Sequence, residues 1–308
     1  MSEAHWTRRP ERGSFLAMQL MLRLTLLLGR RLTRPVLWLI ALYFMLTGGA
    51  ARRASRSYLA RVLPVPVRWW HVLRHFLHFA IVVQDRVFLL KGQFWRFDLR
   101  SQGTDYLNEY CQRRSGALLF GAHLGSFEVA RAFSRQQQRP ISIAMYAENA
   151  RQLMRTLAVL NPAAAEEILP LGQPGSMLAI RDRIAAGHIV GLLADRNLGR
   201  DALRATQLLG APAGLPDGPF RLAASLGAPV FFVAGLYRGG KRYDVHVELI
   251  TDFGDCTPAE RPARIAQARQ DYADKLSRHC RTAPYNWFNF FDFWGASTAP
   301  ATEHTPTP

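Results

Sequence analysis

The feature that most constrains the fold is an alternation of strand-length apolar runs with helical segments from about residue 117 onward. The apolar runs are Ala117–Ala122, Ile141–Tyr146, Ile189–Leu193 and Val230–Leu236. The segments between them predict helices at Ser126–Gln136, Asn149–Leu160, Ser176–Ala186 and Pro219–Leu226, with Gly187 and Gly227 as helix ends. This alternation predicts an α/β fold with a mixed, mostly parallel sheet flanked by helices.

The end of the sheet has a different pattern. Arg238-Gly239-Gly240-Lys241 predicts a hairpin turn between antiparallel strands at Val230–Tyr237 and Tyr243–Ile250. A closing helix is expected between Pro258 and Arg281, and its inner stripe is Ile265, Ala268, Tyr272, Leu276 and Cys280. The three cysteines (Cys111, Cys256 and Cys280) are far apart and form no Cys-x-x-Cys pair, so we expect reduced thiols, no disulfide and no metal site.

The N-terminal segment from Ser14 to Leu46 is nearly all apolar, with arginines interspersed. Its longest uninterrupted apolar stretch, Val36–Leu46, is shorter than the roughly 20 residues that a membrane-spanning helix needs. A span starting near Phe15 would also bury Arg23, Arg30 and Arg31, whereas a helix lying in the interface lets arginines reach lipid phosphates. We therefore favour an interfacial membrane anchor over a spanning helix.

The net charge of the chain indicates the kind of partner that it binds but does not identify one partner. Lys and Arg number 39 against 23 acidic residues, which gives a formal net charge of +16 and a pI near 10.7. Such a surface attracts nucleic acid, anionic lipid or an acidic carrier protein. A nucleic-acid partner is disfavoured, because it leaves the hydrophobic arm unexplained and the sequence has no zinc-finger or RNP-like motif. The cluster Arg52, Arg53, Arg56 and Arg61 fits an anionic lipid surface or, equally, a solvated helix face.

The most informative motif is Gly121-Ala-His123-Leu-Gly-Ser126-Phe-Glu128, which follows the first apolar run. Within one helix, five steps would place His123 and Glu128 roughly 140° apart, so the pair fits a strand-to-helix turn instead. A histidine held by a carboxylate is the usual apparatus for removing a proton from a hydroxyl. A buried histidine satisfied by a nearby acid is the alternative. Ser126 lacks the Gly-x-Ser-x-Gly elbow of a serine hydrolase.

Further landmarks occur in a fixed order after this motif. They are an apolar strand ending in Ala194-Asp195-Arg196-Asn197-Leu198-Gly199, then Gly218-Pro219-Phe220-Arg221 leading to Ala228-Pro229-Val230, and an aromatic terminal stretch from Pro284 to Trp294. With the hydrophobic arm and the His-x4-Glu motif they extend across roughly residues 15 to 295. In this order they resemble the bacterial lipid A late acyltransferases, a branch of the lysophospholipid acyltransferase superfamily.

The resemblance implies a glycerolipid acyltransferase-like fold and an O-acyl transfer. A fatty acyl group would move from acyl carrier protein, or from coenzyme A, to a hydroxyl of a lipid A-like acceptor, with the thioester as co-substrate and no cofactor. His123 would be the general base and Glu128 would orient and polarise it, without a covalent acyl-enzyme. Arg155, with Arg151 as the reserve, and Asp195 and Arg196 would bind substrate. An ion pair is the alternative for Arg196.

The same resemblance implies a membrane partner and a place at the cytoplasmic face of a bacterial inner membrane. We predict a basic, hydrophobic membrane-anchoring arm at 1–60, an acyltransferase catalytic domain at 61–296 and a disordered tail at 297–308. The same chemistry on a lysophospholipid, a glycolipid or a polyene pigment ester is the alternative function. The aromatic terminal stretch fits buried core better than a direct acyl-chain contact, and it also suits a membrane-facing edge.

Overall fold

A computed structural model describes residues 15–113, 116–136, 141–146, 167–173, 175–197 and 201–295. Within them a seven-stranded sheet, mixed but mostly parallel, is flanked by helices, which confirms the predicted fold class. The predicted helix at Asn149–Leu160 and the tail at 297–308 lie outside the described residues, so they stay predictions.

The elements alternate along the chain. The helices are α1 (Phe15–Thr47), α2 (Gly49–Val62), α3 (Trp69–Leu90), α4 (Thr104–Arg113), α5 (Phe127–Gln136), α6 (Ser176–Ala185), α7 (Gly218–Leu226) and α8 (Arg261–Thr282). The strands are β1 (Asp98–Gln102), β2 (Ala117–Gly121), β3 (Ile141–Tyr146), β4 (Ile168–Leu171), β5 (Ile189–Leu193), β6 (Leu203–Leu208), β7 (Ala211–Pro216), β8 (Pro229–Gly239) and β9 (Arg242–Asp252).

The strand order of the main sheet is β1-β9-β8-β2-β5-β3-β4. Strands β8 and β9 are antiparallel and joined by the predicted turn, while the other neighbouring pairs are parallel. A separate antiparallel hairpin is formed by β6 and β7. The central strand β2 is buried at every position, as expected when helices cover both faces of a parallel sheet.

The helices begin and end close to the residues predicted to start and stop them. Helix α6 begins at Ser176, and Gly187 takes the left-handed conformation just after its end. Helix α7 has a proline in its first turn and ends at Leu226, and the next residue, Gly227, is also left-handed. The predicted inner stripe of α8 is buried except at its first position, Ile265, which is partly buried.

The N-terminal helices share the core of the rest of the protein. Helix α1 is interrupted at Gly29, where the backbone leaves the helical region, and after this break it packs against α3. Leu37, Ala41 and Met45 of α1 belong to the same hydrophobic core cluster as the sheet. Among the described residues no single helix has both the length and the apolar composition to cross a membrane, but the bent pair 29–47 and 49–62, which meets at 99°, passes that test together.

Candidate active site

Two neighbouring parallel strands end at the same edge of the sheet and carry the central pair of the site. Strands β2 and β5 are in register with Gly121 opposite Leu193, and His123 and Asp195 each follow two residues after these positions. Because the two chains leave the sheet side by side, the ring of His123 meets the carboxylate of Asp195, with 2.8 Å between Nδ1 and Oδ1. Open α/β sheets place their ligands at this edge.

Asp195 is buried and fully engaged by hydrogen-bond donors. Its Oδ2 accepts from the backbone amide of His123 at 3.0 Å, from Nε1 of Trp287 at 3.1 Å and from Nδ2 of Asn289 at 3.0 Å. Burial disfavours the charged acid, but the charge and the two hydrogen bonds of His123, together with the charge of Arg196, outweigh burial and hold the pKa of Asp195 well below its usual range. The carboxylate is therefore ionised, and it accepts a hydrogen bond from Nδ1–H of His123.

This arrangement leaves Nε2 of His123 as the basic atom. Burial lowers the pKa of His123 below its ordinary value, the nearby Arg196 and Arg86 lower it further, and Asp195 opposes them. The ring is accordingly neutral at pH 7, with its proton on Nδ1. The side chain is 30% exposed, and Nε2 has no hydrogen-bond partner in the part of the chain that the structure describes. A substrate hydroxyl can reach that nitrogen.

The turn that carries His123 is held from two sides. The carbonyl of His123 accepts from the amide of Phe288 at 2.7 Å, and the amide of Gly125 donates to the carbonyl of Asn286 at 2.7 Å. On the other side Gly125 lies against β8, where a Cβ atom would be 2.0 Å from the carbonyl oxygen of Gly235, and its φ is +66°. Only glycine fits both this backbone conformation and this close approach.

Glu128 lies in the first turn of α5, as predicted, but it does not hold the ring of His123. Its carboxylate accepts from Arg86 of α3 at 3.2 Å and from Arg131, one turn further along α5, at 2.8 Å. Burial raises the pKa of Glu128, yet the charges of Arg131 and Arg86 outweigh burial and lower it. The predicted partnership between Glu128 and His123 is thus corrected: Asp195 contacts Nδ1, because the register of β2 and β5 brings it there.

The residues predicted to bind substrate differ in burial and in the partners that they contact. Asp195 is 1% exposed, with its carboxylate committed to His123 and the aromatic terminal stretch, so contact with an acceptor is not what its position provides. Arg196 donates to Oδ1 of Asn289 at 2.6 Å and to the carbonyl of Phe288 at 2.9 Å, which fixes that stretch instead of forming an ion pair with Asp195. Arg155 and Arg151 lie outside the described residues.

Three residues of the site were not predicted. Trp287 and Asn289 orient the carboxylate of Asp195, and Arg86 binds Glu128 with its side chain 46% exposed. Asparagines within the aromatic terminal stretch were a usable signal, because a buried amide requires polar partners. Arg86 follows Asp85 in α3, but the sequence gives no sign of which charged partner each of the two would meet.

Other nucleophiles are poorly placed for chemistry. Ser126 is buried, and its backbone amide donates to the carbonyl of Gly235. The three cysteines are buried free thiols, and burial raises the pKa of Cys280. The accessible reactive atom of this site is therefore the imidazole nitrogen.

Comparison with known proteins gives the family of the chain. No curated protein matches the chain in a sequence search. Residues 6–294 match the bacterial lipid A biosynthesis acyltransferase family, a span that includes every element described above. The chain belongs to the bacterial lipid A biosynthesis acyltransferase family.

Proposed function

We propose that this protein is a membrane-associated O-acyltransferase that moves a fatty acyl group from a thioester to a hydroxyl of a lipid A-type acceptor. The observation that carries the proposal is the neutral, partly exposed imidazole of His123, held by the ionised Asp195 at the edge of the sheet. Family membership supplies the reaction class, and this pair supplies a base for it.

The proposed reaction needs no enzyme-bound ester. Nε2 of His123 takes the proton of the acceptor hydroxyl while the hydroxyl oxygen attacks the thioester carbonyl. The resulting tetrahedral intermediate collapses, the carbon–sulfur bond breaks, and the imidazolium returns its proton to the departing thiolate. Asp195 keeps the other proton on Nδ1 and stabilises the transient positive charge of the ring. The buried Ser126 and cysteines take no part.

Glu128 acts in this scheme through arginines. It ties Arg86 of α3 to the start of α5, and the half-exposed guanidinium of Arg86 is close enough to His123 to lower the pKa of that ring. A fixed positive charge at this position favours the neutral base. It also attracts the phosphate groups that both acyl carrier protein and lipid A-type acceptors carry. Glu128 is therefore proposed as a positioning residue for Arg86, with His123 as the catalytic base.

The charge and the exposed apolar surface of the protein support the proposed donor, acceptor and location. The net charge of +16 favours an acidic donor protein or another anionic donor such as acyl-coenzyme A, and it favours an anionic acceptor. The exposed apolar residues of α1 favour a place on the membrane, proposed as the cytoplasmic face of the bacterial inner membrane, where acyl thioesters are made.

The experiment is reconstituted acyl transfer with the wild type and His123→Ala. Purified full-length protein is mixed with acyl-carrier-protein or coenzyme A thioester and a lipid A precursor, and products are read by mass spectrometry. We expect the wild type to add one ester and His123→Ala to lose at least about a hundredfold in rate. Turnover retained in His123→Ala would reject the base. Acylation of a lysophospholipid in preference to the lipid A precursor would reassign the acceptor.

A further inference from the structure

The N-terminal third of the chain has an unusual charge distribution. From Arg12 to Gln84 the sequence contains eleven arginines and no Lys, Asp or Glu. Most of the formal charge of +16 therefore comes from a segment that cannot neutralise itself. The ligand that the segment can bind depends on which of these guanidinium groups contact other residues of the protein and which are exposed.

Several of these arginines are used inside the fold. Arg30 forms an ion pair with the buried Asp85, at 2.5 Å. Arg61 lies over the ring of Trp294, 4.3 Å from its centroid, and Arg74 lies over Tyr285 at 4.6 Å. Arg61, grouped by sequence with the surface cluster, is thus only partly exposed and packs on the aromatic terminal stretch.

Four others converge on one open pocket. Arg52, Arg53 and Arg56 of α2 and Arg68 at the start of α3 line a cavity of about 320 Å³, together with Leu46 and Trp69. All four arginines are exposed, and within the described residues none of them forms an ion pair with a carboxylate. Arg52 also donates to the carbonyls of Met45 and Leu46 at the end of α1, and Arg68 lies over the ring of Trp70. A concave site with an apolar wall and the guanidinium groups of Arg53 and Arg56 at its rim matches a phosphate ester attached to a hydrocarbon chain.

An apolar stripe leads into this pocket along α1. Leu39, Leu42, Tyr43 and Leu46 recur at helical spacing, and each is exposed, Leu39 at 68% and Leu46 at 62%. Trp69 at the pocket is 64% exposed, and a tryptophan at the boundary between charge and apolar surface is typical of a membrane interface. Nucleic acid or a carrier protein would give the charges a partner but would leave this stripe uncovered.

The pocket is separate from the active site. Trp69 and Arg86 lie 17 residues apart on the continuous helix α3, which corresponds to about 25 Å at the usual rise per residue. Arg86 contacts Glu128 near His123, and the site also meets α3 at His75, whose ring contacts the carbonyl of Trp287 at 2.8 Å, six residues from Trp69. No residue that lines the pocket contacts His123 or Asp195, and the pocket lies beyond this stretch, at the start of α3. A molecule held in this pocket is not positioned for attack on the thioester.

We propose that this pocket binds the phosphate of an anionic membrane phospholipid, whose acyl chains cover the stripe from Leu39 to Leu46. The bound lipid is a fixed membrane contact and is neither donor nor acceptor. It would hold α1 and α2 flat on the bilayer while the active site lies further along α3. This inference does not depend on the proposed reaction, because binding is measured without turnover.

The test compares two double variants with the same change in net charge. Full-length Arg53→Gln/Arg56→Gln alters the pocket, and Arg113→Gln/Arg181→Gln removes two exposed arginines from α4 and α6. Each protein is bound to vesicles of phosphatidylglycerol mixed with phosphatidylcholine and to vesicles of phosphatidylcholine alone. The ratio of the two affinities should fall roughly 25-fold in the pocket variant, since each arginine at an anionic surface contributes about fivefold. In the control variant this ratio should stay within about threefold of the wild-type ratio, because salt screens charges that are far from the bilayer.

A second readout locates the lipid. Phosphatidylglycerol with brominated acyl chains should quench tryptophan fluorescence in the wild type, and Trp69→Phe should lose part of that quenching. Equal loss of anionic preference in both double variants, or identical quenching in wild type and Trp69→Phe, would overturn the proposal. Displacement of the protein from vesicles by a duplex oligonucleotide or by acyl carrier protein, absent in the pocket variant, would assign the pocket to that partner instead.

Discussion

His123 depends on the charge of Asp195 for both its tautomer and its basicity. Asp195→Asn keeps the size of the side chain but removes the charge, and an asparagine must turn its NH₂ group towards one of the four donors that now meet the carboxylate. We expect the rate of acyl transfer to fall by about 10²–10⁴-fold, the range of a general-base contribution.

The pH profile distinguishes this role from a purely structural one. In the wild type the pKa of His123 is lowered, so the base form persists below pH 6.5 and the rate falls only as pH drops through the shifted pKa. Asp195 opposes that lowering, and its neutralisation should therefore move the acid limb of log kcat/KM to still lower pH. An acid limb that stays in place or moves upward in Asp195→Asn would contradict the assignment.

Glu128 should behave differently from Asp195 when it is replaced, because it contacts arginines and not the ring of His123. Glu128→Gln leaves Arg131, whose side chain is 5% exposed, with Glu167 as its one acidic partner among the described residues. Breaking one side of a buried pair should cost about 3 kcal/mol in the free energy of unfolding. We expect a lower Tm, a higher KM through loss of the fixed Arg86, and an acid limb that moves slightly to higher pH, because a less fixed Arg86 lowers the pKa of His123 less. An unchanged Tm with an acid limb moved to lower pH would instead return Glu128 to the ring of His123.

At the scale of elements, the turn between β2 and α5 is the most sharply constrained segment of the site. Gly125→Ala would place a methyl group against the carbonyl of Gly235 in a left-handed backbone, and we expect loss of acyl transfer together with a lower Tm. Gly187 has a similar φ of +83° with no atom within 4 Å of an added Cβ, so Gly187→Ala is the matched control. It should cost only about 1–2 kcal/mol and leave the rate near normal. Similar Tm values and rates for the two variants would show that the contact with β8 is not required.

Sequence predicted the elements that carry strong periodicity and missed those that do not. Strands β2, β3 and β5 are buried apolar runs, so their positions and the strand-to-helix turn at His123 were predicted within a residue or two. Strand β1 is a polar edge strand, and the β6–β7 hairpin contains prolines and glycine, so neither shows the pattern of a central strand. The pairing of His123 with Asp195 was missed for a different reason. It depends on β5 lying beside β2, and a single sequence does not reveal the strand order.

At the scale of the whole molecule, the predicted boundary after residue 60 runs through a shared core. Arg30 donates to both carboxylate oxygens of Asp85, at 2.5 and 2.6 Å, and Asp85 also accepts from the hydroxyl of Tyr243 on β9. The segment predicted from sequence as a membrane-anchoring arm therefore also neutralises a carboxylate of α3 and supplies core residues from α1.

Two truncations separate anchoring from folding. A protein that lacks residues 1–28 starts at the break at Gly29 and keeps Arg30. A protein that lacks residues 1–47 also loses Arg30, the closest cation to Asp85, which is 0% exposed. The longer truncation also exposes the core beneath α1. Loss of a buried partner alone should cost about 3–5 kcal/mol, so we expect the longer truncation to unfold or aggregate in detergent while the shorter one keeps a Tm near that of the full chain. Arg30→Gln isolates the ion pair and should account for much of the difference. Equal Tm values for both truncations would mean that α1 is an appendage, and membrane binding could then be assigned to it by deletion alone.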